Sequence, residues 1–475
     1  MSHKPDPNKN VNLTIDGIPV TVPEGTRILE AAKKVNIKIP VLCEHPELCK
    51  RAICRICVVE CDGRGKLLAA CANDVWEGVN IVTNSVRLLD IRKTIIELIL
   101  ANHPQDCLSC VRSKNCELQS LAADFGICKQ PFERKEMKCK PPLHEGNVLV
   151  RDMDKCVKCG RCVEVCQEIQ TIRSINTSHR SVNYEINTPY SQPLIDSACV
   201  LCGHCATVCP VGAIYEHDES ARVLEMLNKE KLHKVVQIDP ALCTVFDKQF
   251  ELPAGTVTPG KIATALKQLG FDKVFDAKFS GRLSVKEEID ELLTRQKNNN
   301  GKLPLISGCS PNVIKFAGIN YPDLKEHFSQ CTDAHGIIDK LARSKYSEIS
   351  GIDPAAIAAV TVTPCISGKF RLSDTGKDAS GELCSFVLSI NEIISLFRKK
   401  GVILNNLTES PFDDVTGLFD DTDSISVKTL TVHGYANART VLDSVRRGEC
   451  DADLVKIMNC PDGFKYTDCC AFPDF

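Results

Sequence analysis

No run of apolar residues in this chain is long enough to cross a bilayer; the longest, around Thr94–Leu100, is broken by Glu97. Charge of one sign is also missing. The 475 residues carry 58 basic and 61 acidic side chains, a net charge of −3, which removes the electrostatic case for nucleic acid or anionic membrane as partner. No G-x-G-x-x-G leads into a helix and no P-loop is present, so no nicotinamide or flavin site is recognisable in the chain itself. The opening MSHKPDPNKN has no apolar core and no arginine-rich amphipathic pattern, and a cytoplasmic location is expected.

Cysteine is what the chain has in excess: 28 residues, in a protein whose 43% hydrophobic and 25% charged content is otherwise ordinary. A disulfide scaffold is excluded by length and by repeated C-x2-C-x2-C triplets, whose sulfurs lie too close together to pair sensibly. Zinc sites use separated C-x2-C pairs, not four cysteines in an eleven-residue run. Iron–sulfur ligation in a reducing compartment fits the spacing.

Fifteen cysteines and one histidine within the first 209 residues form four such sets. Cys43-x10-Cys54-x2-Cys57-x13-Cys71 has the spacing of a [2Fe–2S] loop, and His103-x3-Cys107-x2-Cys110-x5-Cys116 that of a histidine-ligated [4Fe–4S] cluster. A neutral imidazole in place of one thiolate leaves that cluster one unit less negative and tends to raise its potential. Cys156-x2-Cys159-x2-Cys162-x3-Cys166 and Cys199-x2-Cys202-x2-Cys205-x3-Cys209-Pro210 form a two-cluster ferredoxin unit. In such units the fourth cysteine of each run ligates the other cluster, so Cys209 is expected with Cys156, Cys159 and Cys162, and Cys166 with Cys199, Cys202 and Cys205.

The expected architecture is multidomain α+β. A polar tail (1–10) precedes a β-grasp [2Fe–2S] ferredoxin domain (11–84) and a small helical domain for the histidine-ligated [4Fe–4S] cluster (85–140). A two-cluster [4Fe–4S] ferredoxin domain (141–220) and an α/β domain (221–475) follow. Val11–Ile15 and Ile18–Val22 flank Asp16-Gly17, a two-residue hairpin signal. Arg27–Lys34 reads as a short helix. Ser85–Ala101 reads as a helix with Leu88, Leu89, Ile91, Ile95, Leu98 and Ile99 on its apolar face. Ala221–Lys231 reads as a linker helix, and Thr258-Pro259 opens a helix stopped by Gly270. Ser284 with Glu287, and Ser389 with Glu392, have the form of capping boxes, the latter helix ending at Gly401. Val427–Val432, Ala436–Arg447 and Leu454–Met458 read as strand, helix and strand.

The first 215 residues resemble the N-terminal modules shared by [FeFe]-hydrogenases, the large peripheral subunit of respiratory complex I and some formate dehydrogenases. Further on, Val235–Ala241, Leu252–Val257, Leu269–Asp276, Lys315-Phe316-Ala317, Tyr321–Leu324 and His433–Arg439 are similar to the [FeFe]-hydrogenase catalytic domain. The resemblance breaks at that family's hydrogen-active cluster. Its T-S-C-C-P-x-W motif stands here as Ser307-Gly308-Cys309-Ser310-Pro311-Asn312-Val313, so the first cysteine, a proton carrier in the family, is Cys309 and a cluster ligand becomes Ser310. M-P-C-x-x-K-K-x-E stands as Thr363-Pro364-Cys365-Ile366-Ser367-Gly368-Lys369-Phe370-Arg371, with a ligand kept at Cys365 and the cyanide-binding lysine replaced by Gly368. M-A-C-x-x-G-C stands as Met458-Asn459-Cys460-Pro461-Asp462-Gly463-Phe464, with Cys460 kept and the bridging cysteine replaced by Phe464. Phenylalanine cannot bridge metals and serine is a poor substitute for thiolate, so no diiron hydrogen cluster is expected. For Cys309, Cys365 and Cys460, with Cys469 or Cys470 as possible fourth donors, spacing no longer specifies a site. Inert buried thiols are expected in preference to an extra [4Fe–4S] cluster.

The resemblance implies an iron–sulfur electron-transfer subunit of a flavin-dependent, electron-bifurcating hydrogenase- or transhydrogenase-type complex that links ferredoxin to NAD(H) and NADP(H), with no catalytic site of its own. Implied partners are a flavin/NAD subunit like that of complex I, a thioredoxin-like [2Fe–2S] subunit, an NADPH-binding flavoprotein, and ferredoxin. The two-cluster unit is expected at the low-potential end, with the other two clusters facing the flavin partner or branching from the wire. Alternatives are an active [FeFe]-hydrogenase subunit with variant ligands and a non-enzymatic sensor or assembly protein. Cys49, Cys61, Cys128, Cys139, Cys243, Cys331, Cys384 and Cys450 are expected as free or buried thiols. Glu287 and Glu288 are expected in structural roles, and His45, His204 and His335 have no metal-ligand spacing.

Overall fold

A computed structural model of the chain describes all residues except 1–5, 7, 49–50, 63–66, 133–140, 299–301, 332–335, 372–384, 414–426 and 461–475. Cys49, Cys139, Cys384, Cys469, Cys470, His335 and Phe464 lie outside the described residues. Among the described residues no helix is long and apolar enough to cross a membrane.

The N-terminal sheet has five strands in the order Ile18–Pro23, Asn10–Ile15, Asn80–Val82, Val58–Cys61, Leu68–Ala69. Its first hairpin forms around Asp16 and Gly17, both at positive φ (49° and 80°) as a two-residue turn demands. The short helix Ile28–Lys34 lies over this sheet with Ile28, Leu29, Ala31 and Ala32 buried.

The helix Val86–Ala101 follows, capped by Ser85 Oγ, which accepts from Leu88 N–H at 3.2 Å. Its buried face differs from the expected one. Leu88, Arg92 and Ile96 point inward, whereas Leu89 and Leu98 are exposed. Arg92 takes an inward position because its guanidinium donates to Val58 O at 2.7 Å, satisfying a carbonyl at the start of the strand Val58–Cys61.

The two-cluster unit is closed by antiparallel pairing of Leu149–Arg151 with Ile214–Glu216, which joins its two ends. The helix Ser220–Leu227 is not a linker. Val223, Met226 and Leu227 are buried in one core with Ile393, Ile394 and Phe397 of the helix Ile390–Lys400.

The C-terminal half is α/β with two parallel sheets. One orders its strands Lys273–Asp276, His233–Ile238, Ile357–Thr363, Ser385–Ser389; the other Leu305–Gly308, Leu454–Met458, Thr429–His433. Every residue of Ile357–Thr363 is buried, as a central parallel strand covered on both faces requires. The Ser389–Glu392 capping box forms and Gly401 ends that helix at φ 68°. The expected box at Ser284 does not. The helix runs from Ala277 to Asn298, so Ser284 and Glu287 are in its interior. Asp276 Oδ1 accepts from Lys278 N–H at 2.8 Å, and the early turns bury Phe279 and Ser280.

Lys369 is fully buried and pairs with Glu392 at 2.7 Å while donating to His217 O at 2.6 Å. Glu392 itself holds the Ser389 and Glu219 backbone N–H groups, each at 2.6 Å. Lys369→Met should therefore destabilise this half by about 3–5 kcal/mol, because it strands a buried carboxylate. Denaturant unfolding of the variant against the parent checks this, and an unchanged midpoint would contradict it.

Candidate iron–sulfur sites and the C-terminal cavity

Cys43, Cys57 and Cys71 are buried and Cys54 is half-buried. The Cys54 N–H donates to Cys43 Sγ at 3.4 Å. Cys54 and Cys71 thiols donate to Cys43, which falls to about 2 as the thiolate of the group. Cys71 also donates to Cys57, lowering it to about 7, while Cys54 and Cys71, as donors, are pushed up. These four sulfurs touch as one set, with the loop bent through Ala52 and Arg55 at φ 52° and 62°. Such non-glycine strain persists only where the surroundings impose it.

The second set lies nearer the surface. Cys107 is exposed, Cys110 and Cys116 are half-buried, and Leu108 between them is fully exposed. Burial pushes the Cys116 thiol up, with Cys110 and Cys107 adding to the effect, so the three lie within charge reach of one another. His103 is buried just beyond the helix Val86–Ala101. Its place as fourth ligand rests on the sequence spacing.

In the two-cluster unit, Cys156, Cys159, Cys162 and Cys209 line one small cavity, and Cys166, Cys199, Cys202 and Cys205 line another. Burial pushes Cys156 and Cys199 up to about 12. Cys209 raises Cys156, Cys159 and Cys162, and Cys166 raises Cys199, Cys202 and Cys205. The fourth cysteine of each run therefore lies with the first three of the other, the grouping that crossed ligation needs. The runs turn at Gly160 and Gly203, both near φ 82–83°. His204 faces the second cavity, and burial lowers its imidazole to about 4, so it is neutral there.

Arg161 joins three sets. Its guanidinium holds both oxygens of Glu117, at 2.5 and 2.7 Å, and donates to Glu44 O at 2.8 Å. Glu44 follows Cys43, Glu117 follows Cys116, and Arg161 precedes Cys162. A Cβ on Gly160 would lie 3.2 Å from Ile53 Cδ1, in the first loop, and one on Gly212 would lie 3.5 Å from Cys110 Sγ. Buried Arg112 donates to Ala206 O at 3.1 Å and lies near Cys209 and Cys116.

The C-terminal half holds a cavity of about 430 Å³ at the carboxyl ends of its parallel strands. Cys309, Cys365 and Cys460 all line it, together with Asp239, Lys278, Glu288, His433 and Lys456. Sequence spacing alone does not bring these three cysteines together; the strand ends Gly308, Thr363 and Met458 do. Burial pushes the Cys365 thiol up to about 11, with Cys309 and Cys460 adding. Ser310 is not in the lining. Its Oγ is hydrogen-bonded to Asn312 Oδ1 and lies 3.5 Å from Asn459 Nδ2. Glu288 pairs with Lys456 at 3.3 Å, and Glu287 turns outward to Lys340 at 2.7 Å. Cys331 donates to Glu291 Oε2 at 3.1 Å.

Family models match along the chain in four segments. Residues 8–86 match a 2Fe-2S iron-sulfur cluster binding domain, 92–131 the NADH-ubiquinone oxidoreductase-G iron-sulfur binding region, and 146–215 the ferredoxin-like domain of NADH-quinone oxidoreductase subunit 3. Residues 232–422 and 418–464 match the iron only hydrogenase large subunit, C-terminal domain. The chain is similar to the NADP-reducing hydrogenase subunit HndD of Solidesulfovibrio fructosivorans, at 34% identity over 86% of this chain and 71% of that protein. It is 31% identical to iron hydrogenase 1 of Clostridium pasteurianum over 87% of this chain and 72% of that one. The alpha subunit of the NADPH-Fe(3+) oxidoreductase of Geobacter sulfurreducens is 36% identical over 43% of this chain and 24% of that one.

The crossed ligation has a discriminating test. A Cys156→Ala/Cys209→Ala double variant should lose one cluster, about four irons per chain, if the two cysteines share it, and about eight if each run were self-contained. Iron and acid-labile sulfide measured on anaerobically prepared protein separate the two.

Proposed function

The chain belongs to the iron-only hydrogenase large-subunit family, and from that premise we propose that it is an iron–sulfur electron-transfer subunit that does no hydrogen chemistry. It would carry one [2Fe–2S] cluster on Cys43, Cys54, Cys57 and Cys71. Three [4Fe–4S] clusters would sit on His103 with Cys107, Cys110 and Cys116; on Cys156, Cys159, Cys162 and Cys209; and on Cys199, Cys202, Cys205 and Cys166. When bound, these groups supply reversible one-electron carriage. The protein's part is to hold them close together and away from water. Arg112 and Arg161 place buried positive charge beside Cys209, offsetting thiolate charge at the point where the sets meet.

The observation that carries the reading is the state of position 310. A ligand there would have to face the cavity, yet Ser310 is 1% exposed, stands at the N-cap of the helix Pro311–Asn320, and is held by Asn312 and Asn459. Gly368 supplies no charge, and the remaining bridging position is a phenylalanine in the sequence. These residues do not fit a diiron hydrogen cluster. The relatives are named as an NADP-reducing hydrogenase subunit and an NADPH-Fe(3+) oxidoreductase subunit. They support a place in a multi-subunit, NAD(P)H-linked redox complex; its finer form, proposed from the family resemblance, is a flavin-dependent, electron-bifurcating complex linking ferredoxin to NAD(H) and NADP(H), with a flavin/NAD subunit, a thioredoxin-like [2Fe–2S] subunit and an NADPH-binding flavoprotein as partners. Exposed Cys107 and Leu108 give one surface where a redox partner can come close to a ligand set.

Affinity purification from the native source under anaerobic conditions should recover the chain with flavin-containing subunits. The complex should show no infrared bands from cyanide or carbonyl ligands and evolve no hydrogen from reduced viologen. Recovery as a lone monomer would remove the subunit reading, and hydrogen evolution would restore the hydrogenase.

A further inference from the structure

The two four-cysteine cavities of the ferredoxin unit differ in a way that their cysteines do not explain. Apart from its cysteines, the cavity of Cys156, Cys159, Cys162 and Cys209 is lined only by apolar side chains. The wall of the other, around Cys166, Cys199, Cys202 and Cys205, includes Gln170 and His204. Gln170 is 1% exposed. Neither its Oε1 nor its Nε2 has a hydrogen-bond partner among the described residues.

Local structure puts the carboxamide there. Cys166 stands in a π-turn, Val165–Ile169, and the Gln170 N–H closes this turn on Val165 O at 2.8 Å. Wide turns of this kind recur at functional sites. Cys166 and Gln170 are four residues apart across it, so a ligand sulfur and a carboxamide leave the turn on one side. Gln167, half-buried on the same turn, has a partner for its amide in Ile175 O at 3.3 Å. Glu168 is exposed.

Packing alone accounts poorly for Gln170. A carboxamide taken out of water without a partner is costly, and a leucine would fill similar space without that cost. The cost falls away if the partner is the group that the four cysteines hold. An iron–sulfur core on four thiolates is anionic, and hydrogen bonds to its sulfurs help to set its potential. Oε1 can only accept, whereas Nε2 carries the protons that a sulfur can take up.

We propose that Gln170 donates a side-chain N–H to a sulfur of the cluster on Cys166, Cys199, Cys202 and Cys205, holding that cluster's reduction potential above the value its thiolates alone would set. The inference rests on the electron-transfer reading, which supplies the cluster. When one electron enters, no covalent bond forms or breaks. The core gains one negative charge and the hydrogen bond to it strengthens, which favours the reduced state. At the other four-iron set the buried guanidiniums of Arg112 and Arg161 lie beside Cys209 instead. Two sites with one ligand pattern are thus tuned by different means, one by charge and one by a neutral dipole.

The test is an anaerobic redox titration of the full iron-loaded chain, followed by electron paramagnetic resonance, in the parent and in Gln170→Leu and Gln170→Met. Both substitutions keep the volume and remove the N–H. A Cys202→Ala variant identifies the signal of this cluster by its loss. In both Gln170 variants the ratio of reduced to oxidised cluster at a fixed ambient potential should fall about tenfold, about 59 mV in midpoint for one electron. Iron content and the midpoints of the other three clusters should stay as in the parent. An unmoved midpoint with full iron overturns the inference and leaves the electron-transfer reading standing. A parent short of about four irons, without this signal, removes the cluster and the inference with it. Should the variants fail to fold, the parent decides. Protein isotopically labelled only at the glutamine side-chain nitrogen should show a nitrogen hyperfine coupling on the signal of one four-iron cluster, and its absence overturns the inference.

Discussion

The cysteine modules of this protein are held in register by one buried guanidinium. Arg161 reaches a carboxylate beside the second ligand set and a carbonyl beside the first, from a position inside the third. It can do so because Gly160 turns the backbone into the left-handed region at φ 82° and leaves no Cβ against Ile53. A buried bidentate pair of this kind costs about 3–5 kcal/mol to break from one side. Its loss would also free three ligand loops at once. The relative placement of cluster sites is therefore set inside a cysteine run, by the two residues between Cys159 and Cys162.

The C-terminal half separates scaffold from chemistry at adjacent positions. Lys369 is fully buried, paired with Glu392, and through Glu392 tied to the start of the helix Ile390–Lys400 and to Glu219. Removing it would unbalance a core charge whatever the protein does. Gly368 has no such bond to break. Position 368 therefore carries no such structural constraint, whereas 369 does. The same logic applies at 310. Ser310 stands just before Pro311–Asn320, and its Oγ is engaged by the Asn312 and Asn459 side chains rather than by the helix backbone, so the position is tied into local packing.

Local signals in the sequence are legible where the deciding bonds are local. Asp16-Gly17 and the Ser389–Glu392 box need only neighbours within a few residues, and both form. Ser284 and Glu287 have the same local form, yet the helix begins at Ala277 because Asp276 caps earlier and Phe279 finds a buried place. The buried face of Val86–Ala101 differs from its apolar pattern because Arg92 counts as polar in a pattern but is buried against Val58 O. The cysteines of the four sets are gathered as their spacing groups them, because close spacing in the chain keeps sulfurs close in space, whereas the place of His103 rests on spacing alone. The meeting of Cys309, Cys365 and Cys460 is not legible in this way, because it is fixed by the register of two parallel sheets whose strands are far apart in the chain.

The contacts also change the shape of the wire. In a linear series each inner set has two neighbours. The set on Cys156, Cys159, Cys162 and Cys209 has three. The first loop meets it through Gly160 and Ile53, and the histidine-containing set through Gly212 and Cys110 and through Arg112. The second four-iron set meets it through Cys205. A site with three neighbours is a junction, and the two N-terminal sets are branches that converge on it. On its other side the second set borders the C-terminal cavity, with Cys202 and Tyr435 near Cys460. The junction itself holds two buried guanidiniums, Arg112 and Arg161, both beside Cys209, so the point where the three sets converge on the fourth is also the one that carries buried positive charge.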